Sequence, residues 1–100
     1  MVGKLSPNGT VIATGGSEGI LRLWKVRYDR NNINGVVFDR QMNAHLEKIN
    51  GIAFNLTGEL VFSASSDRTC RVYNVKDGRQ IHCLSLSIPN IGRKLEFRAC

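Results

Sequence analysis

Residues 5–26, LSPNGTVIATGGSEGILRLWKV, lie without a gap over residues 54–75, FNLTGELVFSASSDRTCRVYNV, at an offset of 49 residues. This repetition decides how the rest of the chain is read. Gly9 falls on Gly58, Ser17 on Ser66, Arg22 on Arg71 and Val26 on Val75, while Thr14 meets Ser63, Glu18 meets Asp67 and Trp24 meets Tyr73. The matches sit where hairpins need them: a glycine in the first turn, a small hydroxyl on the next strand, an acid in the second turn and an aromatic on the third strand.

Around the repeat, apolar and polar residues alternate in short runs bounded by Gly, Asn and Asp, which is the pattern of strands. No stretch has a helical period. Strands are expected near 10–15, 20–26, 35–39, 49–54, 59–65, 69–75, 79–86 and 94–99, with Asp77-Gly78 as a two-residue hairpin turn. Tyr28 to Gly35, rich in Asn and Arg, is expected to be a protruding loop of the kind that carries specificity.

The composition suits a folded segment, with 42% hydrophobic and 22% charged residues. The net charge of +6, from nine Arg and five Lys against eight acids, is spread along the chain and mildly favours an acidic partner. A nucleic-acid groove calls for clustered bases interleaved with aromatics. The nearest approaches are Arg22, Lys25, Arg27 and Arg30, and Arg93, Lys94 and Arg98, which read as solvated strand faces, so nucleic acid is not the expected partner.

Cys70, Cys83 and Cys100 contain no CxxC pair and no zinc-like spacing to a histidine, so neither a disulfide framework nor a metal site is expected, and a reducing compartment fits best. No apolar run approaches the roughly 20 residues that cross a bilayer, so no membrane contact is expected within these residues. Asn8-Gly9-Thr10 and Asn55-Leu56-Thr57 match the glycosylation acceptor pattern, but both fall in tight turns where Asn and Thr serve turn chemistry.

Ala44-His45, Phe54, Gly58, Ser63-Ala64-Ser65-Ser66-Asp67 and Arg71-Val72-Tyr73 together resemble one whole WD repeat. The resemblance implies an all-β fold: a fragment of a WD-repeat β-propeller, about two four-stranded antiparallel blades cut mid-blade at both ends. Residues 1–43 would form a partial repeat, 44–88 a complete one and 89–100 the start of the next. It also implies a buried hydrogen-bonded tetrad, carried here by His45, Ser63, Asp67 and Tyr73 at separations of 18, 4 and 6 residues. Tyr73 stands where the family has Trp. The earlier repeat offers Thr14 and Trp24, with Glu18 in place of the Asp.

A narrower likeness lies in ATGGSEGILRLWKV, the long connector and the closing LEFRAC after Pro89-Asn90-Ile91-Gly92. These resemble the prolactin regulatory element-binding protein family, the guanine-nucleotide exchange factors of the COPII coat. That likeness implies a propeller on the cytosolic face of the endoplasmic reticulum, anchored outside this chain, with a Sar-type small GTPase as its protein partner in ER-to-Golgi transport. A generic WD-repeat scaffold is the alternative.

No enzyme chemistry is expected. His45, Ser63 and Asp67 have the residue types of a hydrolase triad, but a nucleophile and its base must open onto a substrate pocket. Gly15-Gly16-Ser17-Glu18-Gly19 lacks the Lys and the helix of a phosphate loop, so no cofactor is expected either. With unpaired strand edges at both cuts, the segment alone is expected to fold poorly or to associate through those edges.

Overall fold

The computed structural model describes residues 1–87 and 96–100, which form nine strands in two antiparallel sheets. β1 (Val2–Leu5), β2 (Val11–Gly15), β3 (Ile20–Asp29) and β4 (Asn32–Asn43) make the first sheet in chain order. β5 (Ile49–Phe54), β6 (Leu60–Ser65), β7 (Thr69–Asn74), β8 (Gln80–Ser87) and β9 (Glu96–Ala99) make the second. This is the all-β blade architecture that the repeat implies.

The 49-residue offset recurs in the turns. Ser6 N–H donates to Val11 O as Asn55 N–H does to Leu60 O, and Val26 N–H donates to Thr10 O as Val75 N–H does to Glu59 O. Gly9 and Gly58 share a left-handed backbone, at φ of 75° and 77°. Gly19 (φ 77°) has Arg68 (φ 68°) as its counterpart, so the second repeat puts a bulky side chain where the first uses glycine.

The core lies between the sheets, where alternate residues of each strand face the neighbour. Ala13, Leu21, Leu23, Met42 and Ala44 of the first unit meet Ile49, Ile52, Val61 and Tyr73 of the second. Fully burying each such large aliphatic side chain contributes about 1.5–3 kcal/mol. Ile12, Thr14 and Trp24 therefore stand on the far face of the first sheet, and Phe62 and Cys70 on the far face of the second.

Four sequence expectations change. β1 completes the first sheet and was not expected from sequence. The expected loop at 28–35 is instead ordered hairpin: β3 and β4 run on to an Asp29–Asn32 pair closed by Arg30 and Asn31, both at positive φ. Such a two-residue turn matches the twist of its strands and carries the pairing past the blade. At Asp77-Gly78 the turn is longer than two residues, with Asn74 N–H donating to Arg79 O. Finally, β9 pairs antiparallel with β8 at the edge of the second sheet, whereas it was expected to open another blade.

That pairing also corrects the cysteine reading. Cys83 and Cys100 are disulfide-bonded, with Cα atoms 5.2 Å apart and Cys100 N–H donating to Cys83 O. A seventeen-residue separation carries no pairing signal by itself; the β8–β9 register brings the two thiols together. Cys70 is free, and burial pushes its thiol up from the ordinary value. Pro89 to Gly92, Arg93 and Lys94 lie outside the described residues.

Candidate functional site: a closed histidine network and an open hairpin

His45 sits in the short connection between β4 and β5, and its side chain is fully buried. Its Nε2 lies 2.8 Å from Ser63 Oγ in the middle of β6, and its Nδ1 lies 3.0 Å from Asp67 Oδ2 in the β6–β7 turn. A carboxylate only accepts, so Nδ1 carries the proton and Nε2 accepts from the Ser63 hydroxyl. The Asp67 carboxylate also accepts from the Thr69 amide at 2.9 Å and the Thr69 hydroxyl at 2.5 Å. Partial burial works against the charge on Asp67, but the Thr69 hydroxyl and amide and the His45 imidazole outweigh it and bring its pKa from 3.8 to about 2.

The other expected members are placed differently. The Tyr73 hydroxyl donates to Gln80 Oε1 at 3.3 Å, on the neighbouring strand β8, and not to Ser63. An indole carries its donor on the ring flank, whereas a phenol carries it at the tip, and here the tip reaches Gln80 on β8. Thr69, unmarked in the sequence reading, fills out the acceptor shell of Asp67. In the first sheet Trp24 Nε1–H donates to Thr14 Oγ1 at 2.9 Å, while Glu18 is exposed in the β2–β3 turn.

Ser63 has no exposed surface, and its hydroxyl is held by the His45 imidazole at 2.8 Å. An open apolar hollow of about 420 Å³ on the far side of the second sheet is lined by Gly51, Ile52, Ala53, Phe62, Ser63, Ala64 and Cys70. A mixed cleft of about 440 Å³ lies between the two equivalent turns, with Val11 and Val75 beside Asn8, Thr57, Glu59 and Lys76. There Asn8 Oδ1 accepts from the Thr10 amide and hydroxyl, and Asn55 Nδ2–H donates to Thr57 Oγ1, so both acceptor-pattern asparagines are used in turns.

Among the described residues, the most exposed apolar group on a strand ladder is on the β3–β4 hairpin. Ile33 is 66% exposed, and Tyr28, Val36, Val37 and Phe38 are between 43% and 49% exposed. The ladder beneath them is well formed: Trp24 pairs with Phe38 edge to face at 5.4 Å, and the Tyr28 hydroxyl donates to Gly9 O.

The model of the WD domain, G-beta repeat, matches residues 2–25 and 32–74, and this chain belongs to that family of WD-repeat proteins. It is similar to a chromatin assembly factor 1 subunit of Gallus gallus, at 28% identity over 82% of this chain and 17% of that protein. It is also similar to WD repeat-containing protein 46 of Caenorhabditis elegans, at 31% identity over 81% of this chain and 13% of that protein. The periodic tryptophan protein 2 homolog of Caenorhabditis elegans shares 29% identity over 81% of this chain and 8% of that protein. The chain thus spans less than a fifth of these relatives. It is a WD-repeat segment, a binding module of the protein-interaction type.

Proposed function

We propose that the chain supplies part of the rim of a propeller scaffold, and that the β3–β4 hairpin is where a partner protein is held. One observation carries this reading: the hairpin keeps an ordered ladder while leaving five large apolar side chains open to solvent. Interfaces draw on aromatic and apolar anchors of this kind, with the polar His45 network holding the neighbouring connection in place. Photo-crosslinking from position 33 in the full-length protein tests it. Capture of a specific protein partner supports the reading, and labelling no stronger than from an exposed position in the β5–β6 turn, such as Leu56, removes it.

A finer reading is guanine-nucleotide exchange on a Sar-type small GTPase at the cytosolic face of the endoplasmic reticulum. It is supported by the likeness in residues 13–26, and by the length of the connector that the hairpin occupies. Exchange stabilises the nucleotide-free GTPase, so it needs differential binding and no proton-transfer residue. The full-length protein, mixed with a Sar-type GTPase carrying labelled GDP, is expected to accelerate release. Unchanged release rejects this reading and leaves the scaffold standing.

A further inference from the structure

β4 in the first sheet and β8 in the second are equivalent outer strands, and their far sides differ. β8 carries an added antiparallel strand, β9, four residues long, whereas β4 borders only β3. The register makes these strands equivalent, since Trp24 pairs with Phe38 as its counterpart Tyr73 pairs with Gln80. Position 80 is exposed even though the first sheet packs against that face of the second. A further blade packed on the first sheet in the same way would therefore leave Phe38 open, and Val36 and Ile33, farther out on the hairpin, with it. The patch lies outside the blade-to-blade contact.

Two register breaks leave Asn34 and Asp39 without partners on β3 and divide β4, so Gly35 to Phe38 is one regular stretch, set apart from a second at Arg40 to Asn43. The hairpin stretch is four residues long; β9 also pairs over four residues of β8, but over Leu84 to Ser87, whose first residue corresponds to Met42 and not to the Gly35 to Phe38 stretch. The two faces of the hairpin stretch differ in chemistry. Val36 and Phe38 stand on one side with Trp24. On the other, Val37 pairs with Lys25, whose ammonium lies 3.9 Å from Asp39 Oδ1, and Gly35 pairs with Arg27. Lys25, Arg27, Arg30 and Arg40 against Asp29 and Asp39 give residues 25–40 a net charge of +2.

We infer that the open edge of β4 accepts an extended segment of a partner protein as an added strand, with apolar side chains alternating with carboxylates. Backbone pairing along Gly35 to Phe38 gives the affinity, and the alternation matches an apolar face on one side and a basic face on the other. This rests on the scaffold reading above and specifies the occupant of its hairpin.

The chain's single tryptophan, Trp24, lies against Phe38 and reports on the site. Its fluorescence in the full chain is followed while a synthetic eight-residue peptide of alternating Val and Glu is added. A saturable change is expected, weakened about tenfold by Lys25→Glu with Arg27→Glu, both exposed positions, and abolished by a central proline in the peptide. Circular dichroism of the variant confirms that the fold is kept. Equal binding of a Val/Lys peptide, or no binding of the Val/Glu peptide, overturns the inference. Concentration-dependent pairing of the chain that Val37→Lys prevents would assign the edge to a second copy and also overturn it. If a crosslinked partner persists while Lys25→Glu with Arg27→Glu has no effect on it, the scaffold reading stands and the acidic strand falls.

Discussion

His45 Nε2 lies 2.8 Å from Ser63 Oγ, a contact that ties the connection ahead of β5 to the middle of β6 across eighteen residues. Both groups are buried, so deleting either partner weakens the hold on the other. His45→Ala removes the 2.8 Å partner of the Ser63 hydroxyl, leaving it the longer 3.4 Å contact to Arg71 O, and takes one donor from the Asp67 carboxylate. It is expected to lower stability by about 2–3 kcal/mol, and Ser63→Ala by about 1 kcal/mol. Urea unfolding followed by circular dichroism checks both, and an unchanged midpoint for His45→Ala contradicts the network's structural role.

Asp67 should make the fold acid-sensitive. Its folded pKa of about 2 lies below the ordinary 3.8, so its contribution is fully present above pH 3.8 and is lost as pH falls through 2. The shift corresponds to about 2 kcal/mol. Urea midpoints measured from pH 5 down to pH 2 should fall in the native chain and fall less steeply in Asp67→Asn. Parallel slopes would mean that other carboxylates carry the effect.

The turn at Gly19 and Arg68 gives a paired test. A Cβ at Gly19 would lie 2.1 Å from His45 O, in addition to the left-handed backbone, so Gly19→Ala is expected to cost about 3 kcal/mol. Arg68→Gly relieves the same backbone conformation and should add about 1 kcal/mol. Thermal melts that rank the two variants the other way would refute the equivalence of the turns.

Reduction of Cys83–Cys100 should loosen β9 before anything else unfolds. A crosslink closing a loop of about this length contributes roughly 3 kcal/mol in the chain-entropy account. Hydrogen exchange is the sharpest readout: with reductant, or in Cys83→Ser with Cys100→Ser, amide protection should drop in residues 83–87 and 96–100 and hold in β2 and β6. Uniform loss of protection would show that the bond supports the whole second sheet.

The legible parts of the sequence were the local ones. Gly9 and Gly58, Thr14 and Ser63, and Glu18 and Asp67 mark turns and strands by chemistry that acts within a few residues, so the offset located β2, β3, β6 and β7. The hairpin was missed because Arg30, Asn31, Asn32 and Asn34 read as a loop, although cross-strand pairs such as Val26 with Val36 hold it. β9 and the disulfide depend on where β8 runs, which no spacing encodes. At the histidine, spacing brought His45, Ser63 and Asp67 together, while the placement of Tyr73 depends on a few ångströms of side-chain reach that a pattern does not hold.

The 49-residue offset has a consequence for how such units join. Ile12, Thr14 and Trp24 are the counterparts of Val61, Ser63 and Tyr73, which turn toward the first sheet. Phe62 and Cys70 are likewise the counterparts of Ala13 and Leu21, which turn toward the second. The molecule is therefore directional, with a plug at one end and the matching socket at the other. Each unit added consumes one socket and offers another, so growth has no intrinsic last step, and a closed ring is the arrangement in which every plug is seated.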